Sequence, residues 1–231
     1  MSRICKAYQL RIRQRLRDQG VDSIDDEMKR LLEQAQRSSK EEGMTLAEAL
    51  ARIEKQVIAA HPQPFVGNSG ERERLFLCDS GLGGLARWLR AGGQQAIWSP
   101  GIDDDELVRE ATRLAATVLT TDSIMMERKV FRDRWIPSLW LPPTLRVREQ
   151  LAIVFREFGL QAGEPRCMTC GGELRREDRE ALKARIPPRT YRWLDEYFVC
   201  IQCGKLFWKG THWERIDSEL RKAGVKLESV R

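Results

Sequence analysis

The rhythm of apolar and polar positions changes near residue 74. Before it the pattern is helical. From Ser23, SIDDEMKRLLEQAQRSS sets early acids ahead of an apolar stripe at Met28, Leu31 and Leu32, the spacing of one helix face. A second helix, TLAEALARIEKQVIAA, opens at Thr45 with Glu48 three residues on, the reciprocal pair of a capping box. The start reads two ways. Tyr8, Leu10, Ile12 and Leu16 alternate with Arg11, Arg13, Arg15 and Arg17, which suits a short strand as well as a helix. Residues 1–60 are thus a helical N-terminal extension. HPQPFVGNSGERER (61–74) carries prolines, glycines and charges and reads as a linker.

After it come short continuous apolar runs, as expected of parallel strands buried on both faces. Leu75–Cys78 is the first, ending at Asp79 and the turn-like Ser80-Gly81. A helix carrying Leu85, Ala86, Trp88 and Leu89 follows and stops at Gly92-Gly93. Ala96–Trp98 gives a second strand. Asp103 to Glu106 opens a helix with Leu107, Val108, Ala111 and Leu114 on its apolar face. Thr117–Thr120 gives a third strand, ending near Asp122, and Ser138–Leu141 a fourth, followed by a helix from Thr144 to Phe158. Strands alternating with helices of about ten residues predict a compact α/β domain with a largely parallel sheet over residues 75–160.

Composition leaves this picture intact. Of 231 residues, 42% are hydrophobic and 32% charged, a balance that permits a real core. No run reaches the roughly 18 to 20 apolar residues of a membrane helix, and the start lacks the apolar stretch of a signal peptide, so the expected location is cytoplasmic. The net charge of +6 changes the picture more by its placement than by its size. The excess sits in residues 161–231 and at the extreme N-terminus, where six basic residues precede Asp18. That surplus fits a polyanion such as RNA or DNA, and equally an ordinary soluble surface.

Four of the six cysteines form two C-x-x-C pairs, Cys167/Cys170 and Cys200/Cys203, while Cys5 and Cys78 stand alone. Two such turns present four thiolates to one tetrahedral zinc ion, and a site closed by four protein ligands is structural. Glycines follow each pair (Gly171-Gly172 and Gly204) and let backbone amides turn toward the sulfurs. A zinc ribbon is expected over 161–216, ahead of a C-terminal tail, 217–231. Arg166, Arg175, Arg176, Lys205 and Lys209 lie near it as a platform for phosphates or as a solvated face.

Asp79 and Asp122 end predicted parallel strands, and Asp103 to Glu106 begin the helix between them. The carboxyl ends of strands form the ligand crevice of open α/β sheets. Carboxylates converging there suit a hard divalent ion such as Mg²⁺ or Mn²⁺, and two such ions about 4 Å apart serve phosphodiester hydrolysis. The same acids also have plainer uses: Asp103 or Asp104 as a helix cap, Asp79 as a cap, Asp122 as the opening of a turn.

DSGLGGLARWLRAGG (79–93), DDDELVREA (103–111), VLTTD (118–122), CMTCGGEL (167–174) and CIQCGKLFWKGTHWERI (200–216) occur in that order. Together they resemble the Mut-seven C-terminal RNase domain family over about residues 75–216. The resemblance implies a PIN-like three-layer α/β domain joined to a Cys₄ zinc ribbon, acting as a metal-dependent ribonuclease. It places Asp79, Asp104, Glu106 and Asp122 in the catalytic acid motifs, with Asp79, Asp104 and Asp122 holding Mg²⁺ or Mn²⁺ and Glu106 ranked last. Zinc would be held by the four cysteines, and Arg87 and Arg90 would reach substrate phosphates, unless they form an exposed face around Trp88. Two departures stand out. The family commonly has a basic residue where this chain has Gly84 and Thr121, and a fourth acid is not obvious, Glu127 and Asp133 being the candidates. His212 packs in the ribbon or acts near the phosphate. The rivals to a ribonuclease are a noncatalytic RNA-binding zinc-ribbon protein and a toxin-like nuclease regulated by a partner. The N-terminal helices would then bury their stripe against that partner, a second copy or the parent domain.

Overall fold

The computed structural model describes residues 2–60 and 74–225. The expected linker lies, but for Arg74, outside the described residues, as does the end of the tail from 226 on.

Three helices open the chain: α1 (Arg3–Asp18), α2 (Ile24–Glu41) and α3 (Leu46–Ala60). The ambiguous start resolves as helix. Tyr8, Ile12 and Leu16 recur every four residues on one buried face, and Arg11 and Arg15 lie buried beside them. The capping box of α3 is present: Glu48 accepts from the Thr45 N–H at 2.7 Å, and Thr45 Oγ1 accepts from the Glu48 N–H at 3.2 Å.

The α/β part runs β1 (Leu75–Cys78), α4 (Gly83–Ala91), β2 (Gln95–Trp98), α5 (Asp104–Leu114), β3 (Thr117–Thr120), α6 (Lys129–Arg132), β4 (Ser138–Trp140) and α7 (Val147–Glu157). The four strands are parallel in the order β2-β1-β3-β4. Both faces are covered, which is why the strands read as unbroken apolar runs. Phe76, Cys78, Leu119 and Leu139 point into a core with α4 and α7. Leu77, Val118 and Trp140, on the other face, join a core with α5 and the N-terminal helices. Those helices therefore bury their apolar stripe against the parent domain, with Tyr8 edge-on to Trp140 at 5.2 Å between ring centroids. The edge strand β4 is covered as well: Arg11 Nη1 donates to the Trp140 carbonyl at 2.7 Å.

The last third holds β5 (Leu174–Glu177), α8 (Pro188–Trp193), β6 (Tyr197–Cys200), β7 (Leu206–Trp208) and α9 (Thr211–Lys222). The three strands form an antiparallel sheet in the order β5-β6-β7. A small core of Leu182, Ile186 and Tyr197 stands beneath it. Helix α9 runs through the expected boundary at 216/217. Leu220, Ala223 and Val225 then pack into the α4/α7 core, so the chain returns from the ribbon to the α/β layer.

Candidate functional site

Because β2 lies on one side of β1 and β3 on the other, the sense in which strands are added to the sheet reverses between β1 and β3. Loops leaving the carboxyl ends of those two strands diverge and open a crevice. Asp79 leaves β1, Asp122 follows β3, and Asp104 begins α5, which connects β2 to β3.

Asp79 and Asp122 are oriented by hydrogen bonds from the segments around them. Asp79 Oδ1 accepts from the Ser80 N–H at 2.5 Å, and its Oδ2 accepts from Thr120 Oγ1 at 2.8 Å. Thr120 Oγ1 in turn accepts from the Asp122 N–H at 2.9 Å. Thr120, fully buried at the end of β3, therefore ties both acids to one hydroxyl. Asp122 Oδ1 accepts from the Ile124 N–H at 2.7 Å and sets the turn. Asp103 caps α5 by accepting from the Glu106 N–H at 2.8 Å. This leaves Asp104 half-buried at the crevice and the Glu106 side chain exposed. The loop after Asp79 is clamped from β2: Trp98 Nε1 donates to the Ser80 carbonyl at 2.9 Å. Its ring lies so close that a Cβ on Gly83 would stand 2.6 Å from it.

The electrostatics tie the three acids together. Burial raises the Asp104 carboxyl above the ordinary aspartate range. Arg128 opposes that, and the negative charges of Asp122, Asp79 and Asp105 add to it. Arg128 is the cation the sequence did not single out. It lies 2.7 Å from Asp105 and 3.7 Å from Asp104. Thr120 was missed as well, although a threonine ending an apolar strand beside two acids is a legible signal. Glu127 pairs with Lys6 at 3.7 Å and Asp133 with Arg132 at 3.3 Å.

The four cysteines come together as expected. Their sulfurs lie within 4.8 Å of one another, with Cys170–Cys200 at 3.4 Å and Cys167–Cys203 at 3.7 Å. Zinc–sulfur bonds of about 2.3 Å in a tetrahedron set sulfurs about 3.8 Å apart, so the cluster fits that ion. Positive φ at Gly171 (85°) and Gly204 (68°) bends each loop back on itself. The amides of Gly172 and Cys203 then point at Cys170 Sγ (3.4 Å) and Cys200 Sγ (3.5 Å). Burial raises the Cys200 thiol, yet the N–H groups of Cys203 and Gln202 outweigh it and draw the thiol down to about 7.

Arg90 corrects an expectation. It is 3% exposed and does not reach the substrate surface. Its Nε donates to the Ala96 carbonyl at 2.8 Å, and its Nη1 to Thr169 (2.9 Å) and Met168 (3.2 Å) in the first cysteine loop. A buried guanidinium satisfied by three carbonyls thus fastens the ribbon to α4 and β2. Arg87, one turn earlier, is exposed. Gly84 is exposed on α4, and the Thr121 carbonyl accepts from Trp140 Nε1 at 3.1 Å.

Among the described residues, no helix is long and apolar enough to cross a membrane. No curated protein and no solved structure matches the chain. The family model described as the Mut7-C RNAse domain matches residues 74–220, from the first strand of the sheet to the last turns of α9. That span holds the acid crevice and the cysteine cluster, and the chain belongs to the Mut7-C RNAse domain family, a ribonuclease family.

Proposed function

We propose that the protein is a metal-dependent ribonuclease that hydrolyses RNA phosphodiesters at the acid crevice, with the zinc ribbon aiding RNA binding. The observation that carries this reading is the meeting of Asp79, Asp104 and Asp122 at the switch point of a parallel sheet, two of them held by Thr120.

The donor set fits Mg²⁺ or Mn²⁺. It offers hard carboxylate oxygens, one of which, on Asp104, is raised by burial and further by the charges of Asp122 and Asp79, and Arg128 pairs with it only from 3.7 Å. Among the described residues only the cysteines bring three or more ligand atoms within 4.8 Å. The carboxylates do not form such a group, so an ion there would be one that keeps several waters and binds through one or two carboxylates plus substrate phosphate. When bound, such ions activate a water and stabilise the leaving oxygen of a phosphodiester. The chain's own part is orientation. Ser80 and Thr120 fix both oxygens of Asp79, the Ile124 amide fixes Asp122, and the start of α5 presents Asp104 across from them. Glu106 stands outside this set, two residues further along α5 and exposed. In the ribbon, Cys167, Cys170, Cys200 and Cys203 hold zinc as a closed structural site.

The absence of a cation at Gly84 and Thr121 favours one rival, a noncatalytic RNA-binding module. Incubating the purified protein with labelled single-stranded and structured RNAs, in Mn²⁺, Mg²⁺ or EDTA, separates the two. Cleavage that requires the metal and disappears in Asp79→Asn supports the ribonuclease. RNA bound but left intact under every metal condition supports the module.

A further inference from the structure

A groove of about 330 Å³ opens between α4, the cysteine loops, β7 and α9. We infer that it receives a single unpaired nucleobase of the RNA strand whose backbone lies at the acids. The inference rests on the ribonuclease reading and adds to it a class of substrate, RNA with an unpaired nucleotide near the scissile bond.

The lining makes the case. Phe207, Trp208 and Trp213 supply aromatic surface, and Arg87, Arg166 and Lys205 supply charge; no carboxylate lines the groove. Flat aromatic rings beside cations are what a base and its phosphate need from a protein. The two neighbouring cavities lack this combination. One carries Glu164, Glu173 and Asp217 beside Trp213, and the other carries Glu149 and Glu219. The volume lies at the small end of ligand pockets, enough for one base and too little for a duplex.

The groove is also set in advance. Trp213 stacks on Phe198 with ring centroids 5.5 Å apart and planes 27° from parallel. Arg166 Nε donates to the Gly171 carbonyl at 2.9 Å and Lys205 Nζ to Thr169 Oγ1 at 3.0 Å. Both keep further N–H donors for phosphate oxygens. Of the five basic ribbon residues, Arg175, Arg176 and Lys209 are instead paired with Glu177 or Glu196. Continuity with the acids comes through α4. The helix starts four residues after Asp79, and Arg87, which lines the groove, lies about 6 Å further along its axis at about 1.5 Å per residue. A base inside a duplex has both faces covered, so only a single-stranded or extruded nucleotide can enter.

The test uses the full zinc-loaded chain without added Mg²⁺ or Mn²⁺, with fluorescence anisotropy of a labelled single-stranded RNA, the same RNA as a duplex, and a series carrying one abasic position each. Trp213→Leu and, separately, the double variant Arg87→Gln/Lys205→Gln should each weaken single-strand binding roughly 5- to 100-fold, the scale of one lost base stack or two phosphate contacts. One abasic position should weaken binding to the parent protein and cost Trp213→Leu nothing more. Should Trp213→Leu fail to fold, by zinc content and melting, the double variant carries the test. Folded variants that bind as the parent does, a flat abasic series, or duplex bound as tightly as single strand would overturn the inference. Metal-dependent cleavage persisting alongside those results would leave the ribonuclease reading standing. A parent protein that neither binds nor cuts RNA would remove both.

Discussion

Glu157 ends α7 with its side chain 2% exposed and lies in ion-pair contact with Arg15, while Arg11 Nη2 is 3.8 Å from it. The two arginines belong to α1 and are themselves 8% and 6% exposed. Arg11 also contacts the buried Glu54 of α3, so one cluster of charges joins the N-terminal helices to the α/β domain around the edge of β4. Replacing Glu157 by leucine keeps the packing volume and removes a carboxylate that two buried guanidiniums share. Taking one partner from a buried pair costs about 3 to 5 kcal/mol, because the remaining charge stays out of water. At roughly 2 to 4 °C per kcal/mol for a chain of this size, Glu157→Leu should lower the melting temperature by about 6 to 20 °C. The assay is thermal unfolding by circular dichroism at fixed zinc concentration. Glu27→Gln, which breaks an exposed pair with Arg30 one helical turn away, is the control and should cost under about 0.5 kcal/mol. A Glu157→Leu protein as stable as that control would refute the seating of the extension on the sheet edge.

Three other outcomes follow from the site. Thr120→Val keeps the shape but strips Asp79 of a hydrogen bond and leaves the Asp122 N–H without its acceptor, so it should cost about 1 to 3 kcal/mol in a denaturant melt. Cleavage should fall with it, since both acids lose their common anchor. The parent protein should carry about one zinc per chain by elemental analysis, and Cys203→Ser should lose it to a chelator far more readily. Arg90→Met leaves three carbonyls unfilled at the junction of ribbon and α/β domain. It should destabilise by about 3 kcal/mol and weaken zinc retention, whereas Arg87→Gln should alter RNA affinity and leave the melt unchanged.

The strands, their order of appearance and the acids at their ends were legible because a sheet covered on both faces demands apolar runs, and a crevice acid stands out where such a run stops. The cysteine spacing was legible for a similar reason, since a tetrahedral site admits few local patterns. What stayed hidden depends on contacts far apart in sequence. Arg11 and Arg15 blurred the stripe of α1 because their partners, Glu54 and Glu157, lie on other helices. Arg90 looked like a surface cation because its acceptors in the cysteine loop are nearly 80 residues away. The 216/217 boundary failed to register a helix because the apolar residues that justify α9 are few and meet α7 only after folding.

The central claim is that Asp79, Asp104 and Asp122 form a metal-dependent cutting site and are not merely caps and turns. The measurement that tests it most directly is cleavage and binding of one labelled single-stranded RNA by the parent protein and by Asp122→Asn, in Mn²⁺ and in EDTA. The account predicts cleavage by the parent in Mn²⁺ alone, a loss of at least about 100-fold in Asp122→Asn, and a folding stability unchanged to within about 1 kcal/mol. A folded Asp122→Asn protein that cuts as fast as the parent, or a parent that cuts equally well in EDTA, would contradict it.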